Sequence, residues 1–440
     1  MYDISNYLNI IGDFSYETNS GKLSLLGTLA KEKNNAKGIV FHARIPVNDI
    51  HVYNAESVNL YGTIHSVKIS LLNCQLKTHS YVSEAEYSNA LFELDKIVIG
   101  EHYKRNTCIQ HISTEINALN LFYLTHISHH QSERLEEKFF ADSPLLAAET
   151  KYGKVSLQPY LAFESTCHQL AIQSVPCLKY SFKAPKTLDS AISHLASIRN
   201  LFTFFADGYI DFNTVEYNSD LTAAPNQEKI AVTVFLNQPN DIPETNVPFL
   251  LSCSDVKEDF KTIVENWLKF YENSVYIPSL FFEIITNSSR GINEFLNLAQ
   301  AVEIYSSYFR NEDAKIICNN DPDAKIPDTP SLKHRLIDVF SYLKDVLGIT
   351  EDQRDCLAGI ISRNRNFYTH YSSSGKEPSF KAVSRMILLL RFVVLALVYK
   401  HIGINDSAIK SCKSMSIYTS MDDTIRIILA NEHRSKTVLD

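Results

Sequence analysis

The sequence predicts an α+β protein of two domains: a β-rich N-terminal sandwich or barrel-like domain over residues 1–240, followed by an all-α helical bundle over 250–440. Three observations carry this. The first half is filled with short segments rich in Val, Ile, Leu, Tyr and Phe, bounded by Gly, Asn or Pro, as strands usually are. Beyond about residue 250 the apolar spacing changes to the helical period. At 440 residues, the chain also exceeds what one hydrophobic core usually covers.

Taken in order, Lys22 to Ala30, Gly38 to Ile45, Val58 to Leu72 and Leu91 to Gly100 read as strands of an antiparallel sandwich or open barrel. Glu133 to Glu149 fits neither period. Strand patterns return at Tyr152 to Ser165 and His168 to Phe182. A helix follows Pro185, where Leu188, Ile192, Leu195, Ile198 and Leu201 recur at helical spacing, and is expected to pack on the sheet and close the first domain. The segment from Tyr217 to Pro248, rich in Asn, Pro, Asp and Thr around a strand-like run at Ile230 to Leu236, marks the domain boundary.

Two apolar stripes open the second domain: Phe260, Ile263, Val264, Trp267, Leu268 and Tyr271, then Phe295, Leu298, Val302, Tyr305 and Phe309. Asn311 to Pro330 reads as a long loop, either a surface insertion or a cover for a functional site. Helices follow from Ser331 to Leu347 and from Glu351 onward. Thr350 serves as the N-cap of the latter, with Glu351 and Asp352 suited to the positive end of the helix dipole. Ser372-Ser373-Ser374-Gly375 stops that helix.

Composition narrows the function classes. The chain is 45% hydrophobic and 21% charged, an ordinary globular composition, and its net charge of -8 excludes a protein that coats nucleic acid by bulk electrostatics. Any nucleic-acid contact must be local. From Cys356 to Lys400 the chain supplies that locality, with Arg363, Arg365, Lys376, Lys381, Arg385, Arg391 and Lys400 against the single acid Glu377; most of these read as helix-surface charges. Eight cysteines without a Cys-x-x-Cys pair, and an N-terminus without a secretory pattern, predict reduced thiols in a cytoplasm. The apolar run Met386 to Tyr399, interrupted by Arg391, falls short of the roughly 20 residues that span a bilayer, so no membrane association is expected.

The residues that carry chemistry lie in Arg363-Asn364-Arg365-Asn366-Phe367-Tyr368-Thr369-His370-Tyr371. Guanidinium groups hold phosphate oxygens in a bidentate way, and an imidazole moves protons near neutrality. RNA brings its own nucleophile, the ribose 2′-hydroxyl, so such a group can cut RNA and leave a cyclic phosphate without a metal. Arg365, Asn366 and His370 are the candidate catalytic residues, with Arg363 and Tyr371 as candidate substrate contacts. On an ideal helix Asn366 and His370 share a face, as do Arg363 and His370, whereas Arg365 and His370 differ by about 140°. Arg365 therefore reaches around, or the helix is distorted, or two subunits bring their motif helices together. Phe367 and Tyr368 read as core or dimer-contact residues.

Other constellations are weaker. His126, His129 and His130 lack a metal-site partner pattern, Cys167-His168 stands without further nucleophile geometry, and no Gly-x-x-x-x-Gly-Lys-Ser/Thr loop occurs. Neither a metal nor a nucleotide cofactor is expected.

Arg365-Asn366 followed by His370 resembles the Arg-Asn…His signature of the HEPN ribonuclease superfamily, and the stretch from Asn293 to Tyr305 resembles the long helix of ApeA-like HEPN proteins. The resemblance is clearest from about Phe281 to Lys400. It implies a β-rich sensor or regulatory domain before an all-α HEPN domain, anti-phage defence of the abortive-infection type, and an endoribonuclease cleft at a homodimer interface. It also implies a phage-derived trigger that no residue names. Two alternatives stand beside it: a catalytically inactive HEPN interaction scaffold or infection sensor, which the Arg, Asn and His argue against, and an RNA-end nucleotide transferase, which would need an acidic metal site that the sequence does not display.

Overall fold

The computed structural model describes residues 2–18, 21–32, 35–46, 57–80, 87–116, 118, 119, 122, 146–166, 169–212, 214–218, 231–237, 249–286, 291–322, 324, 326–370 and 380–436. Contacts divide the chain into two compact units. The first holds Met1–Asn120, Ser132–Ala196 and Asp211–Glu244; the second holds Leu121–Gln131, Ser197–Ile210 and Thr245–Asp440.

The first unit is built on a 13-stranded sheet in which every pairing is antiparallel. Its early strands are β1 (Ile11–Thr18), β2 (Gly21–Glu32), β3 (Asn35–Pro46), β4 (Val58–Ile64), β5 (Val67–Ser80), β6 (Tyr87–Glu93) and β7 (Lys96–Ile99). β1 pairs with β2 and β4, β2 with β3, and β3 with β6. The second half of β5 pairs with β6 and its first half with β4, which closes a six-stranded barrel. Of the two β architectures that the sequence allows, this part of the unit is the barrel.

Alternation fills that barrel. Phe14, Leu25, Phe41, Leu60, Leu71 and Phe92 point inward and are buried, and the Phe14 and Phe41 rings meet edge to face at 4.7 Å. Gly27 leaves room for them, because a Cβ there would lie 2.2 Å from the Phe41 ring. The run Val58 to Leu72, expected as one strand, is split into β4 and β5 by His65 and Ser66. Both have positive φ, 48° and 64°, the backbone of a two-residue hairpin turn whose twist matches its strands.

From β7 the same sheet continues beyond the barrel. It runs through β13 (Ala231–Leu236), β12 (Thr214–Asn218), β8 (Ile109–Glu115), β11 (Gln169–Lys186) and β10 (Gly153–Thr166) to β9 (Leu146–Glu149). Asn237, just past β13, fastens the junction with barrel strands: its amide donates to the carbonyls of Ile39 and Leu94 and accepts from the Ile39 N–H.

The helix expected after Pro185 is α1 (Leu188–Ala206). It does not belong wholly to the sheet domain, because from Ser197 onward it is part of the helical unit. Phe204 stacks on Phe281 at 4.4 Å and tilts against Trp267 at 5.5 Å, and the Trp267 indole N–H donates to the Ser197 carbonyl at 2.7 Å. These aromatic contacts outweigh sequence adjacency to the strands.

The helical unit continues with α2 (Cys253–Val256), α3 (Phe260–Asn273), α4 (Tyr276–Thr286), α5 (Ile292–Phe309), α6 (Asn311–Asn320), α7 (Leu332–Tyr342) and α8 (Lys344–Leu347). It ends with α9 (Glu351–His370), α10 (Phe380–Ile402), α11 (Asp406–Lys413) and α12 (Met421–Lys436). Both apolar stripes of the sequence are buried faces, on α3 and α5, except that Tyr271 and Phe309 are half-buried.

The expected loop from Asn311 to Pro330 is corrected: its first half is helix α6. Ala314 and Cys318, four residues apart, bury one small apolar stripe, while Glu312 and Asp313 sit in the first turn and Lys315 pairs with Glu312. The remainder is tied down by reciprocal bonds between Asn319 and Asp328, both 2.9 Å. A polar exterior around so narrow a stripe reads as loop in sequence.

α10 is long and apolar enough to cross a bilayer by length and composition, and 67% of its apolar 18-residue window is buried within the protein. Arg391 is not a surface charge as expected. It lies inside the unit, with Nε 2.8 Å from the Asp207 carboxylate and Nη1 3.6 Å from Glu294, and the Tyr418 hydroxyl donates to Asp207 at 2.6 Å.

Candidate functional site

α9 presents the motif at its last turn. It begins on a reciprocal cap: the Gln353 N–H donates to the Thr350 hydroxyl, and the Thr350 N–H donates to the Gln353 side chain. Leu357, Ala358, Ile360, Ile361 and Tyr368 form its buried face, which packs against α5, α7 and α12. Tyr368 meets Phe295 of α5 edge to face at 6.3 Å, with Phe367 5.2 Å away on its other side. This aromatic anchor fixes the rotation of the last turn, so Asn366, Thr369 and His370 face solvent.

Arg365 sits at the edge of that open side, its side chain 29% exposed. It reaches across to α5, where Nη2 meets the Glu303 carboxylate at 3.1 Å, and Nη1 donates to the Asn366 side-chain oxygen at 3.3 Å. Its backbone carbonyl accepts from the Thr369 hydroxyl at 2.8 Å. Arg365 and Asn366 are thus brought together, and the Arg365 fork reaches to the neighbouring helix α5.

His370 is the last residue described on α9 and is exposed. No hydrogen bond or ion pair joins it to Arg365 or Asn366 among the described residues. Arg363, also exposed, lays its guanidinium back toward the helix start: a Cβ added at Gly359 would lie 3.3 Å from Arg363 Nη1. Tyr371 lies outside the described residues, as do His126, His129, His130, Cys167 and His168.

Sequence reasoning missed Glu303. It falls inside the quoted stretch Asn293 to Tyr305, but nothing in a single sequence pairs it with an arginine 62 residues later. It also acts electrostatically on a second cation, Arg335 of α7, whose guanidinium bonds Ser306 and Asn311. Burial pushes the Arg335 pKa below its ordinary value, against the opposing influence of Glu303 and Asp338. The end of α5 is fastened to α7 by Arg310, which grips both Asp338 oxygens at 2.8 and 2.7 Å. Glu303 therefore stands on a helix fastened at its end, with Arg365 in contact and Arg335 within electrostatic reach.

Chemically, the arrangement offers a planar, half-exposed cation that can bind two phosphate oxygens, an amide that fixes its plane, and an open imidazole little more than a helical turn farther on. No group of three or more His, Cys, Asp or Glu residues placed to hold a metal occurs among the described residues. The seven described cysteines are all free thiols.

Comparison with family models matches residues 5–267 to the ApeA N-terminal domain 1 and residues 296–408 to the Apea-like HEPN domain. No curated protein and no solved structure matches the chain.

Proposed function

The chain belongs to the ApeA-like HEPN family of anti-phage defence proteins, and on that premise we propose that its helical unit is a metal-independent endoribonuclease acting in abortive infection. The observation that carries this reading is the Arg365 fork, held at the open edge of α9 by Asn366 and Glu303, on the same helix as the exposed His370.

In this reading Arg365 takes the two non-bridging oxygens of the scissile phosphate and stabilises the charge that grows on them. The ribose 2′-oxygen attacks phosphorus, the bond to the 5′-oxygen breaks, and the products are a 2′,3′-cyclic phosphate and a 5′-hydroxyl. His370 transfers a proton in that exchange, and Asn366 keeps the guanidinium in plane. Arg363 and Tyr371 are proposed as substrate contacts outside this core.

We place the working cleft at a homodimer, which supplies a second motif helix and removes the demand that one helix present Arg365 and His370 on one face. The cytoplasm is the proposed compartment, consistent with the free thiols. The β unit is the proposed receiver of a phage-derived signal.

The test is RNA cleavage in EDTA by wild type, Arg365→Ala and His370→Ala, together with phage protection in expressing cells. Cleavage and protection by wild type, both lost in each variant, is the expected result. Unchanged cutting in both variants returns the motif to a structural helix end, and RNA binding without cutting by wild type favours a scaffold.

A further inference from the structure

The barrel carries a groove that the nuclease reading does not use. On its outer face, residues alternate with the buried set, and one register row runs Arg44, Leu26, Asp13, Thr63 across β3, β2, β1 and β4. The next row places Ser24, Ser15 and Tyr61 side by side. Small side chains in the second row make a floor, and larger ones stand at its margins. The result is a solvent-open trough of about 660 Å³, which Lys22, Tyr87 and His102 also line.

Three properties distinguish this trough from an ordinary sheet surface. It gathers cations on a chain with a net charge of -8: Lys22 and Arg44 form no ion pair among the described residues, and Asp13 is the only acid in the lining. It also exposes ring and apolar surface that a solvated face usually hides, with Tyr87 51% and Leu26 50% accessible. Finally, the Tyr61 backbone is fastened and its ring has an aromatic neighbour. The His102 ring stands 6.1 Å from it, anchored by a 2.9 Å bond from Nε2 to the Gly62 carbonyl, and the Ser15 hydroxyl donates to the Tyr61 carbonyl at 3.2 Å.

We infer that this trough binds a short stretch of single-stranded nucleic acid, with bases on Tyr61 and Tyr87 and phosphates on Arg44 and Lys22. The chemistry fits on each count. Bases stack on aromatic rings in any sequence, guanidinium and ammonium groups track the backbone, and an open trough admits a strand that continues past both ends. A duplex does not offer its base faces, so it is the poorer ligand. The site lies in the β unit and is separate from the proposed nuclease, giving that unit a ligand of its own.

Binding is measured on the full chain carrying His370→Ala, which removes the proposed proton carrier, by fluorescence anisotropy with labelled oligo-U and oligo-dT of about eight nucleotides. Arg44→Ala and Tyr87→Ala change exposed side chains, and thermal unfolding checks that both fold. Each is expected to weaken binding about tenfold, as loss of one stacked base or phosphate contact does. Neutralisation of two phosphates predicts that affinity falls about sevenfold between 50 and 200 mM salt, and only about 2.6-fold in Arg44→Ala.

Arms with a mononucleotide, a duplex and an added Arg365→Ala change separate the sources. Mononucleotide binding as tight as the octamer, or preference for duplex, would overturn the proposal. So would affinity that falls with Arg365→Ala and not with Arg44→Ala, an outcome that leaves the nuclease reading standing. Trough binding that persists in a wild type unable to cut RNA overturns the nuclease reading alone.

Discussion

Arg365 of α9 and Glu303 of α5 meet at 3.1 Å, so the guanidinium proposed to bind RNA phosphate is already occupied by a carboxylate. A phosphate and Glu303 compete for the same fork. Glu303→Gln is expected to lower the KM for RNA up to about fivefold with kcat little changed, since a half-exposed pair contributes at most about 1 kcal/mol. Steady-state kinetics on a labelled RNA checks it, and a fall in kcat would make Glu303 a positioning residue for Arg365.

Arg365→Lys separates chemistry from structure. Lysine keeps the charge and loses the planar fork, so cleavage is expected to fall at least about a hundredfold, while stability stays within about 0.5 kcal/mol. Parallel urea unfolding and cleavage assays decide. Large losses in both would mean that the Glu303 contact holds the helices together.

Arg391 is a stability residue. Its replacement by Ala strands the buried Asp207 carboxylate, which keeps only the Tyr418 hydroxyl as a side-chain donor among the described residues. The expected cost is about 3–5 kcal/mol, read as a lower urea midpoint. Replacing Arg391 with Met and Asp207 with Asn together is expected to recover part of it.

His401 gives stability a pH dependence. It is packed among Phe270, Phe309 and Tyr305, and burial lowers its pKa below the ordinary 6.5. The unfolded chain therefore binds the proton first as pH falls. Stability from this residue is complete above pH of about 6.5 and declines below it, toward the lowered folded-state value. Urea midpoints at pH 7.5 and 5.5 should differ more for wild type than for His401→Phe; an equal difference would assign the effect to other groups.

How much was legible in the sequence depended on the reach of each interaction. The cap at Thr350 and the stripes on α3 and α5 are local patterns, and each is present at its place. The turn at His65 and Ser66 was hidden because neither residue advertises positive φ as Asn-Gly would. α6 was hidden because its buried stripe consists of only Ala314 and Cys318. The partner of Arg365 was hidden for another reason: pairing across α5 and α9 depends on how those helices pack, which Phe295 and Tyr368 determine. For the same reason, α1 was read as part of the sheet domain although its aromatic half packs with Trp267 and Phe281.

The place of β13 has a consequence for how the protein is made. Val234 pairs with Val98 of β7 on one side and Val215 of β12 on the other, so the barrel and the rest of the sheet are joined through a strand that leaves the ribosome after more than half of the chain. Until then both neighbours carry open edges, and this delayed, long-range pairing makes the β unit a slow folder. The motif on α9 follows more than a hundred residues later. Translation order therefore delivers the motif helix only after the chain for the β unit is complete, and a message broken before that point yields a chain without Arg365 and His370.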